Sequence, residues 1–65
     1  MTFQYFVVVD PAGHAGLAAT KRTVVESEVT EHGGRLISVR APNAFIARKA
    51  AITLWQEISS GGTLH

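Results

Sequence analysis

The sequence predicts a small α+β domain in the order β-β-β-α, a three-stranded antiparallel sheet packed by one C-terminal helix. Three observations predict it. An aromatic and β-branched run, Phe3 to Val9, stops at Asp10-Pro11. Two alternating segments flank His32-Gly33-Gly34. An alanine-rich segment of helical period follows Pro42-Asn43. The chain has 65 residues, which allows one domain over its whole length, 1–65, with little surface to bury and thin stability.

The first strand is expected near residues 2–9. Phe3, Tyr5, Val7 and Val9 make one face wholly apolar, and Phe6 and Val8 join Gln4 on the other, so the strand needs cover on both sides. Residues 17–32 fit two periods. Leu17, Ala18, Val24, Val25 and Val29 can share a helical stripe, whereas Thr23-Val24-Val25 and Val29-Thr30 favour a strand. Register favours the strand: a three-residue turn at His32-Gly33-Gly34 would pair Val29 with Ile37, Ser27 with Val39 and Val25 with Ala41, with Glu26 opposite Arg40 on the other face. Strands near 22–31 and 35–41 follow. The alternative is β-α-β-α, with a helix ending at Gly33.

Asn43 caps the final helix, expected at 44–59 and ended by Gly61-Gly62. Its core stripe is Ala47, Ala50, Ala51, Leu54 and Ile58. The other side presents Phe45, Lys49 and Ile52, with Arg48 and Trp55 at its edge, and this is the expected partner-binding surface. One helix covers one sheet face, so the opposite face would leave Phe6, Val8, Val24 and Leu36 open. Those four are the expected self-association surface, and a homodimer would supply the buried area that so short a chain lacks.

Composition narrows the chemistry. Hydrophobic residues are 46% and charged residues 17%, which predicts a folded core. There is no cysteine, hence no disulfide frame and no thiolate metal site. The histidines His14, His32 and His65 are not spaced as a ligand pair. Gly13 and Gly16 after the first strand lack the lysine and spacing of a phosphate loop, and the stretch from Pro11 to Thr20 reads as connecting loop. No strained nucleophile turn or carboxylate pair is visible, so no enzyme, metal or cofactor is expected. The run Phe3–Val9 is too short to span a bilayer, and no secretory signal is present, so the expectation is a cytoplasmic protein with no membrane partner.

Nucleic acid is the rival partner. Lys21, Arg22, Arg40, Arg48 and Lys49 supply charge, and Tyr5, Phe45 and Trp55 supply stacking surface. Glu26, Glu28 and Glu31 oppose it, and the net charge is only +1.

The stretch Ile37-Ser38-Val39-Arg40-Ala41-Pro42-Asn43 leading into Ala47, Ala50 and Ala51 resembles the strand-to-helix unit of HicB-type antitoxins. It also resembles small phage-encoded inhibitors such as anti-CRISPR proteins. The resemblance covers residues 37–51 and implies a non-enzymatic inhibitor that occludes a surface of a bacterial defence or toxin protein, in the host cytoplasm if phage-encoded. An antitoxin-like regulator is the alternative that it implies. The acidic excess of DNA-mimicking inhibitors is absent.

Overall fold

The computed structural model describes residues 1–61. Its central element is β1 (Phe3–Val9), which pairs antiparallel with β2 (Ala15–Ala19) on one side and β3 (Arg35–Ala41) on the other. The sheet order is therefore β2-β1-β3. Helix α1 (Arg22–His32) links the two edge strands, and α2 (Ala44–Gly61) follows β3. Three antiparallel strands and a C-terminal helix on the sheet are what the sequence predicts, but one strand comes from a different segment and a second helix is present.

The expected strand at 22–31 is a helix, and the third strand is the five-residue run Ala-Gly-Leu-Ala-Ala, within the stretch expected as loop. Val25, Ser27 and Val29 alternate as a strand does, yet Val25 and Val29 also stand four residues apart, one helical turn. Cover decides between these periods. Val8 of β1 points away from the main core and is nonetheless buried. A hairpin would have left it open, whereas α1 roofs it with Val25, its own fully buried residue. The helix has local support as well. The Arg22 guanidinium donates to Glu26 at 2.8 Å, replacing the expected Glu26–Arg40 pair. Arg40 instead stands opposite Gln4. His32-Gly33-Gly34 is thus a helix exit, not a hairpin turn, with the Gly33 N–H donating to the Val29 carbonyl at 2.8 Å.

The main core lies on the other face. Val7 and Val9 of β1, Ile37, Val39 and Ala41 of β3, and Ala47 and Ala51 of α2 form one buried cluster, with Tyr5, Ala15, Ala18 and Trp55 against it. Small side chains on β2 and α2 let helix and sheet approach closely. Among the described residues the two helices make no contact with each other. The result is three layers, helix on sheet on helix. Every buried residue described is apolar.

Helix α2 begins as the sequence predicts, with the Asn43 Oδ1 accepting from the Ile46 N–H at 2.9 Å. Asn43→Ala is expected to cost about 1 kcal/mol in a denaturant titration, and Asn43→Ser to recover most of that. The helix is rotated from the expected phase. Ala47 and Ala51 are fully buried, but Leu54 is 37% and Ile58 51% exposed, while Arg48, Ile52 and Trp55 turn partly inward. The indole is the physical cause. It packs against the core cluster and over Gly13 in the β1–β2 loop, where a Cβ would lie only 3.0 Å from its Cζ3. That loop is tied by Asp10, whose Oδ1 accepts from the backbone N–H groups of Ala12 and His14. Gly62, assigned to the helix stop, and His65 lie outside the described residues.

Candidate functional site

Apolar side chains left in water are the first place to look, since burying them is the main source of binding energy. Phe45 in the first turn of α2 is 58% exposed, and Phe3 at the start of β1 is 47% exposed. Both occupy the same end of the sheet. Phe3 pairs with Ala41, and only Pro42 and Asn43 separate Ala41 from α2. β2 pairs with β1 from Phe6 onward, so no β2 residue flanks Phe3 to Tyr5. The Lys49 ammonium sits 5.0 Å from the centre of the Phe45 ring, a cation–π contact that holds both side chains one turn apart.

Of the five residues expected to bind a partner, the fold therefore presents Phe45 and Lys49 outward together. Arg48 and Ile52 are half-buried at the flank of the same helix, and Trp55 is a packing residue against the core and Gly13. Phe3 belongs to this end, although its place in the apolar face of the first strand predicts a covered side chain. An exposed first residue on a strand cannot be told from a buried one by alternation alone.

The four residues expected for self-association do not form an open face. Val8 is buried, Phe6 and Leu36 are half-buried, and Val24 lies on the outer side of α1. Once residues 22–32 are a helix over the sheet, the face that a hairpin would have left open is covered within the monomer.

A concavity separates the β1–β2 hairpin from the end of α1. It has a volume of about 290 Å3, and its lining includes Val8, Leu17, Asp10, His14, Glu28 and His32. Each imidazole faces a carboxylate one turn or loop away, His14 Nδ1 at 3.8 Å from Asp10 Oδ2 and His32 Nε2 at 3.4 Å from Glu28 Oε2. Sequence spacing gives no hint that His14 and His32 line one cavity, because the β2 excursion that brings them together carries no strand signal of its own. Among the described residues no group of three or more histidine or acidic side chains is placed to hold a metal ion. Nor is any described helix long and apolar enough to cross a membrane.

Glu26, Glu28 and Glu31 lie on α1 with Arg22, whereas Arg35 and Arg40 are on β3 and Arg48, Lys49 and Glu57 on α2. The fold and this surface define an α+β domain of three layers with an aromatic, lysine-bordered apolar end. No protein-family model matches the chain, and no curated protein or solved structure matches it.

Proposed function

We propose that the protein is a non-enzymatic binding module that acts by occupying the surface of a protein partner, with Phe45 as the central anchor. The observation that carries this reading is the exposed Phe45 ring, held by Lys49 at the end of the sheet where Phe3 is also exposed. An exposed aromatic beside a fixed cation has the composition of an interface hot spot, and its side chain needs little ordering on binding. Half-buried Ile52 and Arg48 extend the surface along the helix. Nucleic acid is the second reading: Arg40, Arg48 and Lys49 lie toward the same end, but the net charge is only +1, and Arg22 on the opposite layer is engaged by Glu26 beside Glu28 and Glu31.

A photo-crosslinking residue at position 45, in an extract of the source cells, tests the proposal against one at Thr23 on α1. The expected result is a discrete adduct from position 45, insensitive to nuclease and absent from position 23. Phe45→Asp in the unlabelled chain should weaken its competition for that adduct at least about tenfold, with circular dichroism unchanged. Undiminished competition would remove Phe45 from the site. An adduct lost on nuclease treatment, with binding that falls steeply with salt and on neutralising Arg48 and Lys49, would move the assignment to nucleic acid.

A further inference from the structure

Charge is divided along the strands. β2 pairs Ala19 with Phe6 and runs antiparallel to β1, so Lys21 and Arg22, just past its end, lie toward the Phe3 end of the sheet. Arg40 stands opposite Gln4 at that end, and Arg48 and Lys49 follow Phe45 within the first two turns of α2. Five of the six lysines and arginines thus gather at the end that holds Phe3 and Phe45, and Arg35, opposite Val9, is the sixth. The acids go the other way. Asp10 follows Val9, Glu28 and Glu31 lie in the half of α1 that leads to Gly34 beside Val9, and Glu57 is two residues past Trp55, which packs over Gly13. Glu26 stands between, its carboxylate 2.8 Å from Arg22.

The distance between these poles decides how a partner meets them. Gln4 and Val9, which mark their levels on β1, are about 17 Å apart along the strand, twice the screening length of about 8 Å at physiological salt. A compact group at the Phe3 end therefore meets the basic pole with little of the acidic one. Lys21, Arg40 and Arg48 form no ion pair among the described residues, whereas Arg22 is held by Glu26 and Lys49 by the Phe45 ring. They border apolar surface from both layers. Lys21 and Arg40 are on the α1 side of the sheet and Arg48 is on α2, while Phe3, Phe45 and Ile46 are 47%, 58% and 40% exposed.

We infer that the partner meets this end with an acidic segment of polypeptide, its apolar side chains seated on Phe45 and Phe3 and its carboxylates toward the surrounding cations. The inference rests on Phe45 as the anchor and adds the chemistry of what it anchors. Opposite charge speeds encounter and turns away basic competitors, and apolar burial holds the complex. A nucleic-acid strand fits less well. Its charge continues beyond the basic end, past Glu26 and along the acidic half, and so few unpaired cations neutralise few phosphates.

Amide chemical-shift titration at low and high salt tests it. The probes are a capped peptide of glutamates interspersed with leucine and tryptophan, the same peptide with glutamine for glutamate, and oligothymidylate. The acidic peptide is expected to move the amides of Phe3, Arg40, Phe45 and Lys49 and to leave those of Glu28, Glu31 and Glu57 in place. It should bind at least about tenfold more tightly than the glutamine peptide and lose that advantage in high salt. Lys21→Gln together with Arg40→Gln should weaken the acidic peptide about fivefold and leave the glutamine peptide unchanged. Phe45→Ala should weaken both peptides. These variants separate the inference from the reading beneath it. If Phe45→Ala weakens both peptides but the two bind alike, the anchor stands and the acidic partner falls. If the charge variant weakens binding and Phe45→Ala does not, the acidic preference stands and Phe45 leaves the site. An acidic peptide that moves no amide, or moves only those of the acidic half, overturns the inference. So does tighter binding of oligothymidylate than of the acidic peptide, which would assign this end to nucleic acid.

Discussion

Gly34→Ala will remove most of the stability of the domain, and the same change at Gly33 will remove less. Both glycines have positive φ, 81° at Gly33 and 107° at Gly34, and Gly33 with ψ −175° lies in a region essentially confined to glycine, so an L residue there costs on the order of 1–3 kcal/mol. They differ in what a methyl group would meet. At Gly33 nothing lies within 4 Å. At Gly34 an added Cβ would stand 2.9 Å from the Val9 carbonyl oxygen and 3.1 Å from Val8 Cγ2. That carbonyl belongs to the central strand, opposite Arg35, and cannot retreat without disturbing the pairing of β1 with β3. The side chains of Val8 and Val9 are both buried, so no flexible group is available to yield. Adding the clash to the backbone term gives an expected cost of about 4 kcal/mol or more at Gly34, against about 2 kcal/mol at Gly33. A chain this short holds roughly 3–10 kcal/mol in total. Urea denaturation of the two variants side by side checks this, and equal midpoints would show that the β1–β3 strand ends are looser than the structure has them.

The same glycine pair shows what could be read in advance and what could not. As letters, His32-Gly33-Gly34 fits a hairpin turn or a helix exit equally well, because both need a residue with positive φ at the same place. The choice depends on whether Val25 and Val29 face a neighbouring strand or the face of a sheet, which is a tertiary fact. β2 was hidden for a different reason. Alanine and glycine carry little strand preference, and Ala15–Ala19 is a strand because β1 beside it offers unpaired backbone and because small side chains there admit α2. β1, β3 and the Asn43 cap were legible because their signals are local. The site divides in the same way. Phe45 and Lys49 could be placed from helical spacing, while Ile52 and Trp55 moved inward once the indole found Gly13, a residue in a loop whose path the sequence did not reveal.

Val25→Asp is expected to strip α1 from the sheet, whereas Val24→Asp, one residue away, should be tolerated. Val25 is the only buried residue of α1, with no exposed surface, and Val24 is 45% exposed. A carboxylate at Val25 would have to enter an apolar layer where every buried residue described is hydrophobic, at a cost of about 3 kcal/mol or more. At Val24 it would meet water and the carboxylate of Glu28 one turn on, a penalty under about 1 kcal/mol. Val25→Ala should fall between them, near 2 kcal/mol, by losing contact area without burying charge. Denaturation midpoints order the three variants. Near-native loss of helical ellipticity together with uptake of a hydrophobic dye would locate the damage. α1 is held by one buried valine yet covers Val8, Phe6 and Leu36 in a domain too small to leave them wet, so detaching it should cost the whole fold its cooperativity rather than melt one helix. A Val25→Asp variant with the parent midpoint would mean that α1 does not seal the sheet, and that the face expected from the sequence to be open is open after all.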